Sequence, residues 1–479
     1  MIDKSKHIKP EERKTILLLA DDCRMHSGIA TVSREIILRS AHRFKWFQIG
    51  AALKHPEVGK TVDLSQSTNE RIGIEDADVK VMPWNGYGDS MLVRNMLKDL
   101  KPDAIFIFTD PRYWVWLFEI EREVRNKIPI FWLNIWDDYP APMYNHNFYD
   151  SVDVLMGISK QTVNINKLVL QEKAKNKVIK YVPHGIDDKD FFPVKEDHEL
   201  YPKLLDFKKQ TIPIETDFVL FFNSRNIHRK KPGDTLLAFK LFCDMIGEEK
   251  AKKCALVMHT APSDNNGTDL RAVKHALAPD CNIFFSNNKI SPEQMNFMYN
   301  MADATILISS NEGWGLSLTE SMMCGTMIIP AVTGGMQDQC RFENEKGEWI
   351  DFDDQFPSNH RKTYTKCGEW AEPVFPSNIT LAGSPATPYI FDDRVNAEEA
   401  ALAIKKIYDL KKEERAAKGM KGYEWVMSDE AKMNATAMVK TIIDTMEEGF
   451  DKFVPRSRFD IIKIEERTKR KVTHKLTDY

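Results

Sequence analysis

The sequence predicts an α/β protein built from two Rossmann-like domains, each a parallel sheet with helices on both faces. Three observations carry that prediction. Short apolar runs, such as TILLLA at 15–20, AIFIF at 104–108 and IPIFWLNI at 128–135, recur without polar alternation. That is the pattern of strands buried on both faces. Amphipathic stretches of helical length separate them, which is the rhythm of strand–helix–strand units. The chain of 479 residues is also too long for one ordinary core.

Composition narrows the setting. Hydrophobic residues make up 42% of the chain and charged residues 29%, a globular balance. The net charge of −4 gives no global attraction to nucleic acid or to an acidic membrane. Seven cysteines, scattered and without a CxxC pair, point to reduced thiols and a cytoplasmic location. The opening MIDKSKHIKPEERK is too charged for a signal peptide. No apolar run approaches the ~20 residues that cross a bilayer.

Taken in order, the strand at 15–20 leads into a loop with Gly28 and then a helix from about 31 past Arg39. Strand, glycine-containing loop and helix open a Rossmann-like unit. With neither GxGxxG nor a Walker lysine, the loop predicts no dinucleotide or ATP site. Further strands are expected at 45–52, 79–82, 104–108, 128–135, 152–158 and 178–182, with helices at 90–100 and 114–124. The strand at 104–108 ends at Thr109-Asp110-Pro111, and that at 128–135 runs into Trp136-Asp137-Asp138-Tyr139-Pro140. A polar, Lys-, Asp- and Pro-rich stretch at 193–215 divides a first domain, 1–200, from a second, 201–445.

The second domain opens with a strand at 218–222, followed by Ser224-Arg225-Asn226-Ile227-His228-Arg229-Lys230-Lys231-Pro232 and a helix at 233–246. Cations at the carboxyl end of such a strand lie where an α/β sheet binds ligand. After strands at 254–260 and 282–285 comes the most informative segment, 302–339. Its apolar strand at 304–308 gives way to a loop with Glu312, and a helix from Leu316 carries Glu320. A carboxylate buried there needs hydroxyls or cations to satisfy it. The amides of the helix's first turn, near Gly315 and Leu316, form a seat for phosphate. The segment suits a molecule with both phosphate and sugar.

Beyond Gly335 the chain becomes polar and irregular over about 341–388, read as an inserted loop that touches an acceptor or forms an oligomer interface. Cys340, His360 and Cys367 match no standard metal spacing, so no metal site is expected. Helices are expected at 397–410 and over most of 411–440. The last part, 446–479, reads as a helix with a basic tail: Arg456, Arg458, Lys463, Arg467, Lys469, Arg470, Lys471 and Lys475.

The wording around the two glutamates carries a resemblance. Ser309, Ser310, Glu312-Gly313-Trp314-Gly315-Leu316, Thr319-Glu320-Ser321, Cys324-Gly325-Thr326 and Gly334-Gly335 follow Ser291-Pro292-Glu293, Tyr299-Asn300 and Ala302-Asp303-Ala304. Together they resemble the retaining, nucleotide-sugar-dependent glycosyltransferases of family 4 (glycosyl transferases group 1), whose signature is Glu, seven residues, Glu. The resemblance covers about 15–335 and 389–445. It implies the GT-B arrangement, two domains facing across a cleft, with the last helix crossing back to the first domain.

It also implies roles. Glu320 would accept the donor's ribose hydroxyls and Glu312 hydroxyls of its sugar. Arg225 and Lys230 would neutralise the diphosphate, although Ser224 and Lys231 replace the family's flanking glycines. Gly28 would close over the same diphosphate, beside Gly315 and Leu316. The nucleotide sugar is a co-substrate, and no cofactor or obligatory metal is implied. An acidic or imidazole side chain of the first domain would approach the anomeric carbon. Asp137 and Asp138 are the candidates, ahead of His26 and Asp110. The acceptor stays open: a glycan, a lipid-linked sugar, a small molecule or a hydroxylated base in DNA. The same fold also serves nucleotide-sugar epimerases, and a nonenzymatic binding role is a third reading. The Glu–seven–Glu wording disfavours the former, and Arg225, Lys230, Glu312 and Glu320 together disfavour the latter.

Overall fold

The computed structural model describes residues 6–52 and 54–457. Its first sheet shows why the apolar runs are continuous. In β1 (Lys14–Asp21), Ile16, Leu18 and Ala20 enter one hydrophobic cluster while Leu17 and Leu19 enter another on the opposite face. The same division holds in the second sheet, where Phe218, Leu220 and Phe222 face one cluster and Val219 and Phe221 a different one. With helices on both faces, polar residues are confined to the ends of these two strands.

The first sheet comprises β1, β2 (Phe44–Ala52), β3 (Val62–Asp63), β4 (Val79–Asn85), β5 (Ala104–Phe108), β6 (Ile130–Asn134), β7 (Val154–Gly157) and β8 (Val178–Tyr181). Their order is β3-β4-β2-β1-β5-β6-β7-β8, parallel throughout except for the β3–β4 pair. The second comprises β9 (Phe218–Asn223), β10 (Cys254–His259), β11 (Ile283–Ser286), β12 (Ala304–Leu307) and β13 (Met327–Pro330), all parallel, in the order β11-β10-β9-β12-β13. Strand order reverses at β1/β5 in one sheet and at β9/β12 in the other. The crevice beyond the carboxyl ends of such strands is where open α/β sheets take ligands. Here both crevices open into one cleft. The molecule is two Rossmann-like domains in the GT-B arrangement.

Several elements differ from the sequence reading. The stretch 114–124 is not one helix but a 3₁₀ turn (Pro111–Trp114) and two short helices (Val115–Glu119 and Glu121–Arg125). Its aromatic and β-branched residues have low helix propensity, and Ile120 leaves helical geometry at φ −105°, ψ 12°. The polar stretch 193–215 contains a helix, Tyr201–Thr211, in which Leu204 alone is buried. So narrow an apolar face leaves no periodic signal.

The segment 341–388 is not a loop projecting from the domain. Its first part lies along the free edge of β13: the Ile328 amide donates to Trp370 O and the Val332 amide to Val374 O, both at 2.9 Å. Phe342, Ile350, Phe352, Trp370 and Val374 are buried, so the segment covers a sheet edge that would otherwise be open. It then forms an antiparallel hairpin, β14 (Asn378–Ser384) and β15 (Thr387–Arg394).

The chain returns to the first domain through the helix Ala435–Lys452, which packs on the helix Gly28–Ser40 and against β7 and β8. Met438, Ile442, Met446 and Gly449 form its buried face, and the Phe450 ring meets Phe131 edge-on at 5.1 Å. Arg456 still touches the first domain, its amide donating to Arg125 O at 2.9 Å. The other cations of the expected basic tail, Arg458 onward, lie outside the described residues. Among the described residues no helix is long and apolar enough to cross a membrane.

The two crossings between domains meet at Gly185. The Ile186 amide donates to Met433 O and the Ala435 amide to Ile186 O, at 3.1 and 2.9 Å. A Cβ on Gly185 would lie 2.3 Å from Asn434 O, closer than atoms tolerate. Gly185→Ala should therefore destabilise the protein by about 1–3 kcal/mol, the range for overpacking. A lowered thermal midpoint with unchanged far-UV circular dichroism is the expected result.

Candidate active site

The loop after β12 is held by backbone contacts on two sides. The Glu312 carbonyl accepts from the Gly335 amide at 3.0 Å. Gly334, at φ +50°, lies so close that a Cβ would come 2.0 Å from that carbonyl oxygen. From the other domain, Ile135 O would sit 2.9 Å from a Cβ on Gly313. Gly315 then turns the chain at φ +87° into the helix Leu316–Met323. A buried hydrogen-bond chain fixes that helix: Trp314 Nε1 donates to Thr319 Oγ1 (2.9 Å), whose hydroxyl donates to Gln339 Oε1 (2.8 Å).

This packing sets the Glu312 carboxylate against cations. It is ion-paired with Lys230, and Arg229 Nη1 stands 3.4 Å away while donating to Asn311 O at 2.7 Å. Burial alone would raise the Glu312 pKa, but Lys230 and Arg229 outweigh it and hold the group below the usual carboxylate range. Glu312 is ionised. Glu320, about one turn into the helix, has no cation beside it. Tyr299 donates its hydroxyl to Glu320 and accepts from Asn223 Nδ2 at 2.8 Å. Burial pushes Glu320 up to about 7, with the Tyr299 bond opposing.

The first domain supplies the facing wall. Asp137 and Asp138 follow β6 and line the cleft. Asp138 accepts from Asn311 Nδ2, which also donates to Phe391 O at 2.7 Å. Burial raises both acids, Arg229 opposes the rise at Asp137, and the neighbouring Asp137 adds to it at Asp138. Side by side, they favour a shared proton. His184 is packed between Phe108 and Trp314, and burial lowers its pKa to about 3, so its imidazole is neutral. The hairpin completes the wall. Arg112 Nη1 donates to Thr387 Oγ1 (2.9 Å), and the Phe391 amide donates to Tyr139 O (2.6 Å).

The helix Gly28–Ser40, capped by Ser27, starts at the same cleft. A Cβ on Gly28 would meet Leu316 Cδ1 at 3.1 Å, so the first turns of two helices, one from each domain, approach each other. Each brings unpaired amides and the positive end of a helix dipole. The cleft between them has a volume of about 680 Å³.

Residues 205–356 match the family described as Glycosyl transferases group 1. The chain carries a glycosyl transferases group 1 domain. A curated relative, D-inositol 3-phosphate glycosyltransferase of Thermomonospora curvata, is 37% identical over 68 residues, which is 14% of this chain and 15% of that protein's length. Over nearly the whole chain the likeness is structural. HepE of Anabaena, crystallised with UDP and glucose, superposes with a TM-score of 0.61 at 12% identity, covering 91% of this chain and 100% of that one. Sucrose-phosphate synthase of Thermosynechococcus elongatus gives 0.60 at 15% identity, with 92% and 100% covered.

The group 1 domain contributes Lys230, Glu312, Gly315, Leu316 and Glu320 to the cleft, and the first domain adds Gly28, Asp110, Asp137 and Asp138. Arg225 is not among the lining residues. Its side chain is 66% exposed and paired with Asp264 at 3.1 Å. The 3₁₀ turn His228–Lys230 explains this, since it turns Arg229 and Lys230 inward and leaves Arg225 on the rim. His26 is exposed and also off the cleft. Cys340, His360 and Cys367 form no metal cluster, and among the described residues no group of three or more His, Cys, Asp or Glu is placed to hold one.

Sequence reasoning passed over Arg229, His184, Asn311 and the hairpin. Arg229 stood in the basic run, adjacent to Lys230, and was the one with a local signal. The others reach the cleft only through tertiary packing.

The elevated pKa of Glu320 yields a pH test. Its folded value, about 7, exceeds the ordinary 4.5. Between those values the native state holds a proton that the unfolded chain has released, so this group's contribution to stability falls as pH rises through 7. Glu320→Gln cannot ionise. It should raise the thermal midpoint relative to the parent at pH 8, and the gain should shrink by pH 5. A pH-independent difference would mean that the Tyr299 bond, rather than ionisation, decides.

Proposed function

We propose that the protein transfers a glycosyl group from a nucleoside diphosphate sugar to an acceptor hydroxyl, with retention of anomeric configuration, in the cytoplasm. The observation that carries this reading is the convergence of two helix starts, at Gly28 and Leu316, beside Lys230, Arg229 and the two glutamates. A diphosphate fits the helix starts, a ribose fits Glu320, and a sugar fits Glu312. UDP-sugars are the first donors to test, given the UDP bound by the structurally similar HepE. The seven cysteines are free thiols, as a reducing compartment requires.

In the reaction the acceptor oxygen bonds to the anomeric carbon as the carbon–oxygen bond to the diphosphate breaks. The electron pair leaves on the diphosphate, and the acceptor proton passes to it or to the Asp137–Asp138 pair. Lys230 and Arg229 meet the charge that develops on the leaving group, and the helix amides add fixed dipoles. Arg225 joins them after its exposed side chain rotates away from Asp264. Glu312, engaged by two cations, stabilises the positive ring rather than attacking it.

Two measurements test these roles. A ribose contact is equal in ground and transition states, so Glu320→Gln should chiefly raise the donor KM. A contact to the reacting sugar strengthens in the transition state, so Glu312→Gln should chiefly lower kcat. A hydrogen bond to a charged group contributes about 1.5–3 kcal/mol, so each effect should be roughly tenfold to a hundredfold. Normal constants in both variants would refute the site.

Because protein cations serve the diphosphate, turnover should also survive EDTA. Complete loss, restored by Mn²⁺ or Mg²⁺, would count against the cationic clamp.

A further inference from the structure

With the donor placed as proposed above, against Lys230, Leu316 and Glu320, the acceptor is left the part of the cleft walled by the first domain and the hairpin. Asp110, Arg112, Asp137, Asp138, Thr387 and Ile390 face that part. Among the described residues lining it, Arg112 is the one cation. Each nitrogen of its guanidinium donates one hydrogen bond: Nε to Asp110 Oδ1 at 2.8 Å, Nη2 to Asp110 Oδ2, and Nη1 to Thr387 Oγ1 at 2.9 Å. The Arg112 amide donates to the same Asp110 oxygen at 2.9 Å. The neighbouring cations Lys230 and Arg229, both beside Glu312, are taken in this reading by the donor's diphosphate. His184 is neutral. Arg112 is thus neutralised by Asp110, and Asp137 and Asp138 place further acidic groups on the same wall.

An anionic group entering here would meet Asp137 and Asp138 in a setting of reduced dielectric, where Arg112 is already paired with Asp110 and Lys230 and Arg229 serve the donor's diphosphate. A hydroxyl group meets the opposite situation. Carboxylates accept hydrogen bonds from hydroxyls, Thr387 offers one more polar contact, and Ile390, Ile29 and Trp136 present apolar surface to the C–H face of a sugar ring. We propose that the acceptor is an uncharged polyhydroxyl molecule, a free sugar or the end of a neutral glycan, and that phosphate-bearing acceptors are rejected by the Asp137–Asp138 pair and by the pairing of Arg112 with Asp110. Asp110 is then a specificity-determining residue. It silences the cation that would otherwise recognise a phosphate.

The test uses glucose and glucose 6-phosphate as a matched pair differing by one phosphate. Their dissociation constants are measured by ligand-observed NMR on the full chain saturated with UDP, for the parent protein and for Asp110→Asn. The parent should bind glucose at least tenfold more tightly than glucose 6-phosphate. Asp110→Asn, which frees Arg112, should tighten glucose 6-phosphate at least tenfold relative to glucose. Two results overturn the proposal: a parent that binds glucose 6-phosphate as tightly as glucose, or a variant with unaltered preference. If the parent binds neither sugar measurably, a gain of glucose 6-phosphate binding in Asp110→Asn supports the proposal and its absence refutes it. UDP affinity, measured on both proteins, reports folding. Failure of the parent to bind UDP would refute the donor reading instead, and the same pair titrated without UDP still reads the charge selection.

Discussion

The site depends on how closely three backbones approach one another at the loop carrying Glu312. That loop is threaded between the end of β6 in the first domain and the Gly334-Gly335 turn in its own. A Cβ on Gly335 would lie 2.2 Å from Gly313 O, and one on Gly334 would lie 2.0 Å from Glu312 O. No side chain fits on these faces, so the glycines are a steric condition for the geometry. The result is a fixed main-chain base for Glu312, whose carboxylate is then held by its ion pairs. Lys230 and Arg229 can then be held against it at low reorganisation cost, as electrostatic catalysis requires.

The same closeness determines how the domains sit. Beyond the cleft floor, the segment following Gly335 is bonded across to the helix Lys160–Leu170. Asp338 accepts from the Lys160 amide at 2.9 Å, Gln337 donates to Gln161 at 2.9 Å, and Asn164 donates to Asp353 O at 2.7 Å. The Lys160 ammonium stands 3.8 Å over the Trp349 ring. The hairpin ties the other side through Tyr139, Tyr144 and Arg112. A stretch that covers a sheet edge in one domain is thus also the main polar link to the other.

What could be read in the sequence follows from these physical facts. Strands buried on both faces leave apolar runs, so β5 was legible to the residue and most other strands to within two. The glutamates and the glycines around them were legible because their spacing along one loop and one helix is local. Arg229 was not chosen over Arg225 because a 3₁₀ turn, and Lys231 at φ +53° after it, decide which cation faces inward. His184 becomes a cleft residue only when Trp314 packs on it. The hairpin left no alternating pattern because few of its side chains are buried. The covering segment left none because its buried residues, from Phe342 to Val374, are irregularly spaced.

The helix Ala435–Lys452 has a consequence for the order in which the molecule can be completed. It is the last regular element described, yet it belongs to the surface of the domain made first. Phe131 and Val154 pack so closely on Gly449 that a Cβ there would fall within 2.8 Å of both. While the polypeptide is being synthesised, this apolar face of the first sheet has no cover until some 300 further residues have left the ribosome. A nascent chain of this design must keep that face from associating with others for the whole interval. The first domain reaches its final stability only once this helix has been made.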